Sequence, residues 1–190
     1  MQQLRMIHKF DNIPDVPVPQ GFTVRNFRSG EELVWVEICK NGLLGQDAGM
    51  KDWEKDMLKL PLDPEKDVFF VCDANDKPVA TFAGYVLPDG TGNVHMVAAA
   101  PEARGHGLGK FMVSAILKKM DKDVPAETHM LRLRTDDWRV PAVVGYLKGG
   151  FHPVLFDEGM EERWQKICDE VNFHGVEMLD LDGNGTGIVL

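Results

Sequence analysis

Residues 97–110 read VAAAPEARGHGLGK. Small and β-branched residues lead to Pro101, glycines follow at 105, 107 and 109, and an apolar periodicity then runs from Gly109 to Met120. This order predicts a strand, a tight turn and a long helix. On the helix, Leu108, Met112, Ala115 and Ile116 share one stripe, while Lys110, Ser114, Lys118 and Asp121 fall elsewhere. The turn has the composition of an anion cradle. Glycines let the backbone take positive φ and approach a ligand closely. Successive amides at a helix N-terminus favour phosphate oxygens. Arg104 and Lys110 add positive charge at either end. Two other phosphate loops do not fit. A Walker loop ending at Gly109-Lys110 needs glycine where Arg104 stands and Ser or Thr where Phe111 stands, and a dinucleotide loop starting at Gly105 needs glycine in place of Lys110.

Upstream, DVFFVCD (67–73), VATFAGYVL (79–87) and NVHMVAAA (93–100) read as strands joined by the turns NDKP (75–78) and PDGTG (88–92). Further back are a strand at FTVRNF (22–27), a helix from Glu31 to Lys40, a glycine-broken loop over 41–49, and a helix from Lys51 to Leu60 stopped at Pro61. Downstream come a strand at HMLRLRT (129–135), a short helix from Pro141 to Lys148 closed by Gly149-Gly150, a strand at FHPVLF (151–156) and a helix from Glu161 to Val171. The heart of the chain is thus ββ-α-β-α-β, a mixed α/β sheet. Residues 1–20, with the proline-rich DNIPDVPVPQ at 11–20, read as an N-terminal extension, 21–174 as one domain, and the glycine-rich 175–190 as a C-terminal tail.

Bulk properties narrow the function. The chain of 190 residues has a formal net charge of -9, which argues against a nucleic-acid surface and agrees with a cationic substrate such as a polyamine or basic drug. No stretch approaches the ~20 apolar residues that span a bilayer, and MQQLRMIHKF lacks the apolar core of a secretory signal. The expectation is a cytoplasmic protein without membrane or nucleic-acid partners. Cys39, Cys72 and Cys168 are widely spaced with no CxxC, so neither a disulfide framework nor a zinc site is indicated. His8, His106, His129, His152 and His174 form no metal spacing, and no metal is expected. Trp35, Trp53, Trp138 and Trp164 are best placed in the core.

The run Arg104-x-x-Gly107-x-Gly109, after a strand and a proline and before a helix, resembles the (Q/R)xxGx(G/A) signature of the GNAT superfamily of N-acetyltransferases. The resemblance extends through TDDWRVPAVVGYLKGGFHP (135–153) and covers roughly residues 70–153. It implies an acyl-CoA N-acyltransferase fold, a central, mostly antiparallel sheet with a splayed strand pair, flanked by helices. It implies acetyl-CoA as co-substrate and direct acetyl transfer to a primary amine, on a small molecule or a protein, in a ternary complex. Backbone groups of Val97, Ala98 and Ala99 would pair with the pantetheine arm like an added half-strand. Amides of Gly105, His106, Gly107, Leu108, Gly109 and Lys110, beside Arg104, would hold the pyrophosphate. The alternative for RGHGLG is a plain tight turn capping a helix. A homodimer is compatible with all of this.

Acyl transfer from a thioester to an amine calls for a neutral amine, an oxyanion donor and a proton for the departing thiolate. The resemblance points to Tyr146 as that acid, and a phenol stays protonated at neutral pH. Its alternative is a packed aromatic. The oxyanion donor would be a backbone N–H on the bulged strand, at Val97 or its neighbour. His95 has a suitable side chain for general base, or is a packed strand histidine. Some relatives carry a glutamate where Arg134 stands and often an asparagine where Arg139 stands, which leaves proton removal through water open. Asp136 and Asp137 could orient a cationic amine or be solvated loop acids. A second function class is a noncatalytic acyl-CoA-binding module.

Overall fold

The computed structural model describes residues 2–190. Its strands are β1 (Leu4–His8), β2 (Thr23–Asn26), β3 (Val68–Cys72), β4 (Pro78–Val86), β5 (Gly92–Ala99), β6 (Leu131–Thr135), β7 (His152–Pro153), β8 (Glu177–Leu179) and β9 (Gly185–Val189). The first seven form one sheet in the order β2-β3-β4-β5-β6-β1-β7. Every neighbouring pair in it is antiparallel except β5 and β6, which run parallel. This is the mixed, mostly antiparallel sheet expected of the α/β fold.

Two irregularities shape the site. The parallel pair is joined only at Gly92 with Leu131 and Asn93 with Arg132. Beyond those residues the strands splay apart. On its other side β5 pairs His95 with Ala83 and Ala98 with Thr81, so Met96 and Val97 together face the single residue Phe82. This is a β-bulge, and Met96 within it has φ of 50°.

Helices cover both faces. On one side lie α1 (Glu32–Cys39) and α2 (Met50–Trp53), which runs on into a π turn at Glu54–Leu58, with the short α3 (Pro64–Asp67) beyond. On the other lie α4 (Leu108–Asp123), α5 (Val140–Lys148) and α6 (Met160–Val171). A core around Trp35, Trp53, Phe70 and Ala83 sits under the first set, and one around Phe82, Phe111, Ile116, Leu117 and Trp164 under the second. Each such fully buried apolar side chain contributes roughly 1.5–3 kcal/mol, which is why α4 is held along its length by Phe111, Ile116, Leu117 and Met120.

Three segments differ from sequence expectation. Leu4–His8 forms a strand between β6 and β7. Leu4, Met6, Ile7 and His8 are all buried, so the segment lacks the alternation that marks a half-exposed strand. Residues 13–19 have no regular secondary structure, but this segment is fastened to α4, where the Val16 N–H donates to Ser114 Oγ at 3.2 Å and that hydroxyl donates to the Pro14 carbonyl. Ser114, off the apolar stripe, is therefore fully buried. The final residues form the hairpin β8–β9, with Leu179 bridged to Val154.

Candidate active site

The splay between β5 and β6 opens a groove of about 1230 Å³. Its walls include Val97, Ala98 and Ala99 from β5, Leu133 to Thr135 from β6, and Tyr146 from α5. Arg104, Gly105, Gly107, Leu108, Gly109 and Lys110 close one end. The structure thus gathers nearly all the residues singled out in 97–110 around one space. His106 is the exception within that run, because its ring turns to Phe22, 5.5 Å between centroids.

The turn before α4 carries no side-chain cap and no acidic residue in the helix's first turn. Gly105 and Gly107 have φ of 81° and 79°, a conformation that suits glycine. A Cβ added at Gly105, Gly107 or Gly109 would meet no protein atom within 4 Å. Protein packing therefore does not require glycine there. Among the described residues no main-chain acceptor is matched to the amides of Gly105, His106 or Gly107, and the first-turn amides of α4 have no intrahelical partner by geometry. The Arg104 guanidinium donates to the Asn41 carbonyl at 3.3 Å, which ties the turn to the loop after α1.

Tyr146 is buried, with its ring edge-on to Phe151 at 5.6 Å. Its hydroxyl makes no hydrogen bond to the protein among the described residues. Burial pushes its pKa up to about 12, against the opposing charge of Arg139. His95 lines the same groove, and its Nε2 lies 2.8 Å from the carbonyl of Asp56 in the π turn. A carbonyl only accepts, so Nε2 carries the proton and Nδ1 holds the free lone pair. Burial holds the His95 pKa below the ordinary imidazole value, partly offset by the Asp56 carbonyl and charge.

Alternation places other groups beside His95. Gly84, Val94, Leu131 and Leu133 face the α4 side, since a Cβ on Gly84 would strike Met120 and the other three belong to that core. Tyr85, Asn93, His95 and Arg134 consequently project to the face of α1 and α2. There the Asn93 amide donates to the Tyr85 hydroxyl at 3.2 Å. Asn93 and Tyr85 were not singled out in the sequence, although counting back two residues from His95 would have reached Asn93.

The acids after β6 are occupied. Asp136 pairs with Arg139 at 2.9 Å and accepts from Gln3, while Asp137 pairs with Arg163. Arg163 holds the Asp137 carboxyl below its ordinary pKa and also donates to the Gln2 carbonyl at 2.9 Å. Neither carboxylate faces the groove. Trp35, Trp53 and Trp164 are core residues, but Trp138 is 68% exposed and lines the groove mouth under the Arg139 guanidinium, against the core expectation. The three cysteines are buried and free. Among the described residues no group of three or more His, Cys, Asp or Glu side chains could hold a metal ion, and no helix is long and apolar enough to cross a membrane.

The fold agrees with comparisons to known proteins. The family model described as Acetyltransferase (GNAT) family matches residues 32–151. A mycothiol acetyltransferase of Streptomyces bingchenggensis is 31% identical over 147 residues, 74% of this chain and 46% of that protein. One from Thermomonospora curvata is 28% identical over 155 residues, 78% of this chain and 50% of that protein. The chain therefore spans about half the length of these curated relatives. Among solved structures, a GCN5-related N-acetyltransferase from Sphaerobacter thermophilus superposes with a TM-score of 0.61 at 21% identity, over 80% of this chain and 48% of that one. A GNAT-family acetyltransferase from Colwellia psychrerythraea gives a TM-score of 0.62 at 12% identity, over 80% and 53%. With the family model matching the greater part of its length, the chain belongs to the GNAT acetyltransferase family of acyltransferase enzymes.

Proposed function

We propose that this chain transfers an acetyl group from acetyl-CoA to a primary amine by direct attack in a ternary complex. The observation that carries this is the row of unpartnered amides from Gly105 into the first turn of α4, at one end of a groove that reaches Tyr146 and His95. The residues fit the co-substrate. Bare glycines leave space where a diphosphate would lie, Arg104 and Lys110 flank that space, and Val97, Ala98 and Ala99 border the splay along which a pantetheine arm would extend. Acetyl-CoA, when bound, supplies an activated acyl thioester.

The protein's own groups then divide the work. His95 Nδ1 takes the proton that the attacking amine loses as its lone pair bonds to the acyl carbon. Its depressed pKa keeps that nitrogen unprotonated at neutral pH. Main-chain amides at the Met96–Val97 bulge, displaced from the ladder register, supply the oxyanion donor. Tyr146 gives its hydroxyl proton to the sulfur as the carbon–sulfur bond breaks, and its phenolate recovers a proton from solvent. Both relatives are named for a thiol, mycothiol, which favours a small-molecule acceptor over a protein.

The test is release of free thiol from acetyl-CoA mixed with the protein and a panel of primary amines. Amine-dependent release with a matching acetylated product is expected. Tight acetyl-CoA binding by calorimetry with no release for any amine would instead favour a noncatalytic acyl-CoA-binding module.

A further inference from the structure

The chain carries a net charge of -9, yet no Asp or Glu lines the groove among the described residues. The cations that do line it are Arg104, Lys110, Arg134, Arg139 and Lys148. Arg104 and Lys110 stand at the glycine turn, Lys148 follows Tyr146 by two residues on α5, and Arg139 is held by Asp136. Arg134 is different. Like Lys110 and Lys148 it is exposed and has no ion pair or hydrogen bond among the described residues, but it projects to the face shared by Tyr85, Asn93 and His95 rather than the α4 face. Its charge reaches the Tyr85 phenol. Asp136 and Asp137, the acids nearest in sequence, are already neutralised by arginines.

An incoming di- or polyamine would bring a second positive charge into a groove that no carboxylate lines and where an unpaired guanidinium already stands; Asp56, whose charge reaches His95, lies outside that lining and is paired with Lys55 at 3.7 Å. An amine that also carries a carboxylate or a phosphate would find a planar, five-donor partner. We propose that the acceptor is a primary amine bearing such an anionic group, and that Arg134 holds the anion while the amine faces His95. This rests on the acetyl-transfer reading and specifies its acceptor. It runs opposite to the cationic substrate suggested by net charge alone, because the negative surface charge lies outside the groove.

The experiment compares four acceptors of similar length with acetyl-CoA as donor: 4-aminobutyrate, O-phosphoethanolamine, butylamine and 1,4-diaminobutane. The wild-type protein should give the highest kcat/KM with one of the first two, and which of them leads separates carboxylate from phosphate. Arg134→Ala should lower the ratio of kcat/KM for the anionic amine over butylamine by about 10- to 100-fold, chiefly through KM. Arg134→Lys should recover part of that ratio, and Arg134→Glu should move preference toward the diamine. A wild-type preference for diaminobutane or butylamine overturns the proposal while leaving acetyl transfer intact. So does an Arg134→Ala variant that lowers all four acceptors by one factor, since that is the mark of a structural role. Thiol release with none of the four, alongside intact acetyl-CoA binding, removes the acetyl-transfer reading and this inference with it.

Discussion

His95 is tethered through Nε2 to the main-chain carbonyl of Asp56 at 2.8 Å. The tether joins the bulged strand to the π turn, and it fixes the tautomer without using a charged partner. A histidine oriented by a carbonyl instead of a carboxylate gains little basicity, and burial outweighs that gain and lowers its pKa. If Nδ1 is the base, His95→Ala should lower kcat by roughly 10²-fold or more with a small change in acetyl-CoA affinity. Because burial holds the folded pKa below the usual value, the acid limb of the wild-type kcat profile should lie below the ordinary imidazole value of about 6.5. A kcat profile that is unaltered in the variant would take His95 out of the reaction.

Tyr146 presents the opposite problem. Its pKa is raised to about 12 by burial, so the phenol remains a proton donor throughout the range in which acceptor amines become neutral. No alkaline loss of activity should come from Tyr146 below about pH 10. Its hydroxyl has no protein partner among the described residues, and removing it should cost the fold less than about 1 kcal/mol. Tyr146→Phe should therefore lose turnover with near-normal stability and near-normal acetyl-CoA binding. Chemical denaturation, calorimetry and single-turnover rates on one preparation check the three parts. Loss of binding in step with turnover would indicate a packing role.

The glycines of the turn can be separated by their backbone. Gly107 has φ of 79° and Gly109 lies inside α4, and neither would meet a protein atom with an added Cβ. Gly109→Ala should leave the fold equal or stabilise it by about 0.5–1 kcal/mol, since alanine suits a helix. It should nevertheless weaken acetyl-CoA binding, because the methyl occupies ligand space. Gly107→Val adds a left-handed strain of roughly 1–2 kcal/mol and should abolish binding. Calorimetry on both variants decides it. Unchanged affinity in Gly109→Ala would show that the turn does not grip the ligand closely.

The meander was legible because its β-branched and aromatic runs are set off by the turns NDKP and PDGTG, and the helix after it because its burial follows one period. β4 and β5 bury against helices on alternate sides, and α4 has one continuous apolar stripe. The turn was legible because glycines at 105, 107 and 109 have no structural need other than backbone freedom and open space. β1 was not legible, since LRMIH is buried on both faces and too short to show a period. The β8–β9 hairpin was hidden by the polar run from Asp180 to Asn184, where the Asp180 carboxylate accepts from the amides of Asp182 and Asn184. Trp138 escaped because an aromatic next to two acids gives no sign of which way the loop turns. The freedom of Arg134 and the neutralisation of Asp136 and Asp137 depend on Arg139 and Arg163, and the latter pairing joins residues 26 apart in sequence. Local pattern cannot reveal such pairings.

β1 also carries a pH liability. His8 is fully buried, its Nδ1 accepts the Phe10 N–H at 2.8 Å, and its ring meets Phe151 edge-on at 5.2 Å. Nε2 has no partner among the described residues. Burial lowers the His8 pKa from 6.5 to about 4, with Asp11 and Asp121 pulling upward and His152 pushing down. The folded state therefore resists a proton that the unfolded chain accepts near 6.5. Stability from this group is complete above that value and is lost progressively as pH falls toward about 4, by at most roughly 3 kcal/mol. Between pH 7 and pH 5 the wild-type protein should lose about 2 kcal/mol from His8. His8→Asn keeps an acceptor for Phe10 but cannot be protonated. It should start less stable at pH 7 yet show a shallower decline to pH 5, measured by urea unfolding at both values. Because β1 sits between β6 and β7, and β6 forms one wall of the groove, the same decline should appear as a loss of acetyl-CoA binding on acidification that the variant resists. Equal slopes in the two proteins would place the acid sensitivity elsewhere in the chain.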